Sequence, residues 1–306
     1  MSLYQYFTAN GPSGFGYGST AEQVTAGLSL AGQTILVTGC NSGLGEETLR
    51  VLALRGARVV GTARTREKAK AACDAVQGAT IPLACELSDP ASVRACVAAV
   101  QDQGLQLDAI VCNAGIMALP RLELVHGYEK QFFTNHIGHF MLVTGLLGQL
   151  TATGRVVMLS SSAHRRAPKA GIAFDNLDGA RGYQDFVNYG QSKLANLLFA
   201  KELARRFAGT GRTANGVHPG VIATNLARSM SPILVAIFRM TRPLFLKSVP
   251  QGAATQVYVA THPTLAGVTG EYFADCNIAP ARADASDPAL AARLWEVSEK
   301  IVAGLP

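Results

Sequence analysis

The chain has 306 residues, 48% of them hydrophobic and 16% charged, enough for one sizeable domain with a large core. A formal net charge of +6 and a pI near 9.1 favour phosphate-bearing ligands, but the basic clusters Arg165-Arg166, Lys169 and Arg205-Arg206 are short and lack interleaved aromatics, which argues against nucleic acid. The six cysteines form no C-x-x-C pair and no Cys/His ligand spacing, which argues against a metal site or a disulfide scaffold and for reduced, buried thiols.

Residues 1–30 carry no basic-then-apolar signal and no periodicity before Thr20-Ala21-Glu22, where a helix start runs towards Leu28. They read as an N-terminal arm on a catalytic domain spanning 31–306. No apolar run reaches the roughly 18 residues of a membrane span, so a soluble, cytoplasmic protein is expected.

The β-branched run Gln33–Thr38 predicts a strand that enters Gly39-Cys40-Asn41-Ser42-Gly43-Leu44-Gly45, with a helix expected from Glu46 to Arg55. Strand, glycine turn and helix in succession make a dinucleotide site: glycines let backbone approach a pyrophosphate, and helix N-terminal amides meet its charge. An ordinary tight turn is the plain alternative, and three glycines between a good strand and a good helix count against it. A second strand, Arg58 to Thr62, ends at Ala63-Arg64. An NAD site places a carboxylate here for the adenosine ribose; this chain offers Arg64, whose fork suits the 2′-phosphate of NADP. Arg64 could equally be a surface residue at a strand end, but the missing carboxylate turns the reading towards NADP(H).

A helix (Lys68 to Val76), a strand (Thr80 to Cys85, with Glu86-Leu87 beyond it), a helix (Ser92 to Gln101) and a strand (Leu107 to Cys112, ending in Asn113-Ala114-Gly115) follow. This alternation predicts an α/β fold, a single-domain, doubly wound parallel sheet of Rossmann-like type with helices on both faces. Ligands in such sheets sit beyond the carboxyl ends of the strands. A long helix is expected from Tyr128 to Leu150; it carries Asn135, which alone reads as a satisfied buried amide. A fifth strand, Gly154 to Leu159, ends in Ser160-Ser161-Ser162, and 164–188 reads as a substrate loop.

The helix expected from Phe186 to Phe207 carries Tyr189 and Lys193 at i and i+4, on one face. A fixed ammonium stabilises a phenolate and should lower the phenol pKa, so the pair can exchange a proton with a carbonyl or alcohol oxygen. Alone the spacing is weak, because an amphipathic Tyr above a solvated Lys is commoner. A sixth strand, Thr213 to Val217, leads into His218-Pro219-Gly220-Val221-Ile222-Ala223-Thr224. Segment 225–249 mixes apolar stretches with Arg239, Arg242 and Lys247. A lid over an apolar substrate ranks ahead of plain core packing, and a peripheral membrane contact ranks last. Gln251 to His262 predicts a helix, Gly270 to Phe273 a last strand, and Pro288 to Val302 a terminal helix.

Taken in order, T-G-C-N-S-G-L-G (38–45), C-N-A-G (112–115), T-N-H-I-G-H-F (134–140), V-V-M-L-S-S-S-A-H (156–164), Y-G-Q-S-K-L-A-N (189–196) and H-P-G-V-I-A-T-N-L (218–226) resemble the short-chain dehydrogenase/reductase family. Within it the chain is similar to the retinol dehydrogenase branch, including plant homologues of the chloroplast inner envelope. The resemblance implies that Tyr189 is the acid/base and that Lys193 binds the nicotinamide ribose while lowering the Tyr pKa. It implies that Ser161, with Ser160 as the alternative, bonds the substrate oxygen, and that Asn135 holds a water linking Lys193 to solvent. Gly39, Asn41, Ser42, Leu44 and Gly45 would cradle the pyrophosphate. Glu86, Leu87, Asn113, Ala114 and Gly115 would flank the adenine; Glu86 stands where the family usually has Asp. Pro219, Val221 and Thr224 would position the carboxamide. The implied activity is NADPH-dependent interconversion of a carbonyl and an alcohol on an apolar retinoid-, steroid- or aromatic-like molecule. A homodimer or homotetramer paired through the helices of Asn135 and Tyr189 is also implied. A non-catalytic NADP(H)-binding sensor or scaffold has no need of all four residues Asn135, Ser161, Tyr189 and Lys193. A protochlorophyllide-reductase-like double-bond reductase shares the Tyr/Lys pair and stays open.

Overall fold

In β1 (Thr34–Thr38), Leu36 enters one core while Ile35 and Val37 enter the other, the period-2 alternation of a strand buried on both faces. The computed structural model describes residues 8–222 and 246–306; Thr224 and residues 225–245 of the expected lid lie outside them. After β1 come α2 (Gly43–Leu54), β2 (Arg58–Ala63), α3 (Arg66–Asp74), β3 (Thr80–Ala84), α4 (Pro90–Asp102) and β4 (Leu107–Cys112), with the short α1 (Ala21–Val24) ahead of them. A two-residue hairpin, β5 (Leu124–Val125) and β6 (Tyr128–Glu129), precedes α5 (Lys130–Phe132), a π-turn (Phe133–Ile137) and α6 (Gly138–Leu146). Then follow β7 (Leu150–Leu159), α7 (Asp185–Arg206), β8 (Thr213–His218), α8 (Val249–Thr261), β9 (Tyr272–Ala274), β10 (Asn277–Ile278) and α9 (Pro288–Ala303).

The main sheet runs β10-β9-β8-β7-β4-β1-β2-β3, parallel except for the antiparallel edge strand β10. The order reverses between β1 and β4, which opens a crevice at their carboxyl ends. On one face Val156 and Met158 of β7 pack with Phe132, Phe140, Leu197 and Trp295; on the other Val157 and Leu159 pack with Leu49, Val257 and Phe273. All six cysteines are buried and free.

Several expected bounds differ. The helix after the glycine turn begins at Gly43, not Glu46, because extended Ser42 is already its N-cap. The long helix expected from Tyr128 begins only at Lys130: His126 (φ 51°) and Gly127 (φ 83°) make a two-residue hairpin turn that commits Tyr128 and Glu129 to a strand. That run then ends by Gln149, and Leu150 already starts β7. Edge strand β10 was not expected. It folds back through Asp275 (φ 50°) and Cys276 (φ 63°), two side-chain-bearing residues in the left-handed region.

The terminal helix α9 lies over α6 and α7. Trp295 stands edge-on to Phe140 at 5.0 Å, tilts against Phe199 at 5.6 Å and carries the Arg206 guanidinium 3.8 Å above its ring. Ser298 on the same helix bonds the buried His136 Nε2 at 2.8 Å. At the other end of the chain, the arm is pinned to the β9–β10 turn: Ser13 N–H donates to Asn277 Oδ1 and Asn277 Nδ2 donates to Phe15 O.

Candidate active site

The glycine turn is shaped for a ligand that backbone must touch. Gly39 (φ 68°) and Gly43 (φ 57°) both adopt the left-handed region. A Cβ at Gly45 would lie 2.1 Å from the Gly39 carbonyl oxygen, so α2 can start this close to β1 only without one. The Ser42 side chain does not cap α2, leaving its first-turn amides facing the crevice mouth. Leu44 packs inward with Ile222 against Gly252 of α8, while Asn41 is exposed. Asn113 braces the turn from β4, donating to Thr38 O at 2.8 Å and accepting from Gln256 of α8. Ala114 N–H donates to Thr38 Oγ1.

From that turn the contacts run directly to the Tyr/Lys helix. Ala114 lies against Gly39, and a Cβ at Gly115 would meet Asn135 Oδ1 at 3.0 Å and Lys193 Nζ at 3.4 Å. Asn135 sits in the π-turn, fully buried. Its Nδ2 donates to Ile116 O and Ser192 Oγ, both at 2.9 Å, and its Oδ1 accepts from Ile116 N–H at 2.8 Å. Both amide donors are thus spent clamping the β4 turn to α7, and a water on this side chain has only a remaining Oδ1 lone pair to use.

Tyr189 and Lys193 share one face of α7, with Lys193 Nζ 5.7 Å from the phenol ring centre. Lys193 donates to Leu159 O at the end of β7, 3.0 Å away. Ser160 and Ser161 part company here: the Ser160 hydroxyl donates to Lys193 O at 2.7 Å, whereas the Ser161 hydroxyl accepts from Ala163 N–H at 3.2 Å and lies near enough to the Tyr189 phenol to favour its ionised form. Gly190 permits this approach, since a Cβ there would lie 2.5 Å from Ala163 O. The lowered phenol pKa expected from the spacing is not what this geometry gives. Burial pushes Tyr189 up to about 12, opposed by nearby Ser161, and burial pushes Lys193 down to about 8. Desolvation dominates, and the phenol keeps its proton at neutral pH.

At the far end of the crevice Arg64 follows β2, exposed, and meets no carboxylate among the described residues. Half-buried Glu86 turns its carboxylate onto Ser88, accepting from its N–H at 3.0 Å and its hydroxyl at 2.8 Å. Leu87 is buried against Gly138 of α6. Beyond β8, Pro219 is half-buried and Val221 exposed, and Val221 O accepts from Lys247 N–H at 2.9 Å. Buried Lys247 was not singled out as a site residue, yet its ammonium pairs with Asp275 at 2.5 Å and lies 4.8 Å above the Tyr17 ring. This pair pins the turn after β8; its members are far apart in the chain and carry no local signal. Among the described residues no cluster of side chains could hold a metal ion, and no helix is long and apolar enough to cross a membrane.

A family profile described as short chain dehydrogenase matches residues 33–233. Over the full length of both chains the protein is 40% identical to short-chain dehydrogenase TIC 32 B, chloroplastic, of Brassica napus. It is 37% identical to human retinol dehydrogenase 14 over 89% of this chain and 86% of that one. A crystal structure of an uncharacterised Mycobacterium paratuberculosis protein superposes with a TM-score of 0.75 at 33% identity, covering 92% of this chain and 97% of the other. A Burkholderia cenocepacia short chain dehydrogenase in complex with NADP superposes at 0.63 and 25% identity, covering 80% and 96%. The crevice, the profile and these relatives agree: the chain belongs to the short-chain dehydrogenase family of nicotinamide-dependent oxidoreductases and is retinol dehydrogenase-like.

Proposed function

We propose that this protein is an NADPH-dependent oxidoreductase interconverting a carbonyl and an alcohol on an apolar retinoid-, steroid- or aromatic-like substrate. The observation that carries the reading is the meeting of the Ser161 hydroxyl, the Tyr189 phenol and Lys193 at the end of β7, one residue contact from the glycine turn. The turn fits a dinucleotide: its glycines and open helix amides suit a pyrophosphate, and exposed Arg64 suits a 2′-phosphate. A bound nicotinamide would supply or take up hydride. Ser161 would donate to the substrate oxygen, and Tyr189 would give that oxygen a proton as negative charge develops. Lys193 would hold a cation near the phenolate left behind. Burial keeps the proton on the phenol at neutral pH, the form that the reduction step requires.

Asn113, Ala114, Gly115, Leu87 and Glu86 would line the adenosine side, with Pro219 and Val221 beside the nicotinamide. Two copies pairing over Phe140 and Phe199 would meet α9 there, so a homodimer or homotetramer would have to use α9 or another face.

The test is NADPH consumption with all-trans-retinal, a steroid 3-ketone and 4-nitrobenzaldehyde. Tyr189→Phe should lower kcat by about 10²–10⁴-fold while leaving the Kd for NADPH unchanged. Undiminished turnover in the variant would remove the proton-transfer role. NADPH binding with no turnover of any carbonyl or ring double bond by the wild type would favour the sensor reading.

A further inference from the structure

His164 closes the motif that begins at Val156, and none of the roles above uses it. Its side chain is fully buried. Nδ1 lies 2.6 Å from the Ser161 carbonyl oxygen, and Nε2 lies 3.2 Å from the Arg282 backbone nitrogen. These partners fix the tautomer. A carbonyl oxygen only accepts, so Nδ1 carries the proton; a backbone N–H only donates, so Nε2 offers its lone pair. The His164 N–H donates to the same Ser161 oxygen at 3.0 Å, and Tyr272 meets the ring edge-on at 5.0 Å. The Arg282 guanidinium secures the following turn through the carbonyls of Ala167 and Pro168, at 2.9 and 3.0 Å.

Sheet bonding holds this segment only as far as Ser160, whose N–H donates to Val217 O at 2.9 Å. Ser161 comes next, with an extended backbone (φ −164°, ψ 158°), and its hydroxyl accepts from Ala163 N–H at 3.2 Å. The peptide leaving Ser161 is held at both ends, its N–H by His218 Nδ1 at 3.3 Å and its carbonyl by His164, and together these contacts fix the turn that carries the Ser161 side chain. We infer that His164, held as the neutral Nδ1–H tautomer by Arg282, is a positioning residue that aims the Ser161 hydroxyl at Tyr189. This rests on the reading of Ser161 as the group that binds the substrate oxygen.

Asn at position 164 keeps a donor where Nδ1 stands; Gln keeps an acceptor reaching towards Arg282 but loses that donor. With NADPH and the fastest carbonyl among all-trans-retinal, a steroid 3-ketone and 4-nitrobenzaldehyde, His164→Asn should hold kcat within about threefold and His164→Gln should lower it about tenfold or more, with the NADPH Kd unchanged in both. In a Ser161→Ala background the two substitutions should cost nothing further. Equal or larger losses in that background overturn the inference, as does a Gln variant faster than the Asn variant. If Ser161→Ala itself leaves turnover intact, it is the functional reading that falls. A readout without turnover is the ¹⁵N resonance pair of the imidazole, assigned by its loss in His164→Asn: protonated Nδ1 with bare Nε2 supports the inference, and a proton on Nε2 overturns it.

Discussion

Arg64 and the two histidines of T-N-H-I-G-H-F show how single side chains govern distinct properties. Arg64 is exposed with no carboxylate beside it among the described residues, which leaves its charge available to a phosphate. Arg64→Asp removes that cation and adds a like charge, and should weaken NADPH about tenfold or more while barely changing NADH. Equal responses in a fluorescence titration of both cofactors would refute the NADP assignment. His136 and His139 are wholly buried, and desolvation first of all pushes them down from 6.5 to about 3 and about 4. The folded chain therefore refuses protons that the unfolded chain accepts below pH 6.5. Stability is full above that pH and should fall as pH drops from about 6.5 towards 4, by up to about 1.4 kcal/mol per pH unit for each histidine. Urea unfolding midpoints at pH 7 and pH 5 check this; no difference would mean that these imidazoles are protonated in the native core. At this scale the sequence was informative where partners are near in the chain, as with Tyr189 and Lys193, one helical turn apart. It was silent where partners are far apart: His164 and Arg282, or Lys247 and Asp275, meet only because the sheet brings their loops together.

Among the elements, the terminal helix was readable from its start: Asp287 before Pro288 satisfies first-turn amides and supplies a φ already suited to a helix. The same Asp-Pro pair at Asp89-Pro90 starts α4 two residues ahead of the expected Ser92. The start of α2 was misplaced because a glycine turn looks like loop until the conformation of Ser42 is known. The start of the Asn135 helix was misplaced because a two-residue hairpin took its first two residues, while apolar content alone cannot separate strand from helix over so short a run. The π-turn around Asn135 has no sequence signature either, nor do the bonds its side chain makes to Ile116 and Ser192. The terminal helix was legible as a helix, but not as the cover of α6 and α7. Trp295→Ala removes the ring lying between Phe140, Phe199 and Arg206 and should cost about 3–5 kcal/mol, measured by urea unfolding. A loss below about 1 kcal/mol would show that α9 is dispensable to the core.

For the whole molecule, repeated strand–helix alternation was enough to predict the parallel sheet, because right-handed crossovers leave few other arrangements. It also placed the site at the strand ends, where β1 and β4 diverge. The antiparallel edge lay beyond that logic, since its turn uses Asp275 and Cys276 where a glycine would announce itself. One whole-fold prediction concerns residues 225–245 of the expected lid, with Thr224 left in place. Ile222 and Lys247 form a parallel bridge, so the described chain on either side of this stretch is fastened at neighbouring points. Replacing 225–245 by a short Gly/Ser tether should shift the unfolding free energy by about 1 kcal/mol or less, since halving a connection changes closure entropy by only about 0.6 kcal/mol. Turnover of apolar carbonyls should fall while NADPH affinity holds, as a stability curve and a cofactor titration on the same variant would show. Collapse of the fold would mean that the replaced stretch supplies core packing.

The Ile222–Lys247 bridge, locked behind by Asp275, acts as a pair of gateposts standing side by side, whatever sequence is strung between them. Under the proposed function, mutation between the posts would trade one substrate preference for another and leave Ser161, Tyr189, Lys193 and the glycine turn as inherited hardware.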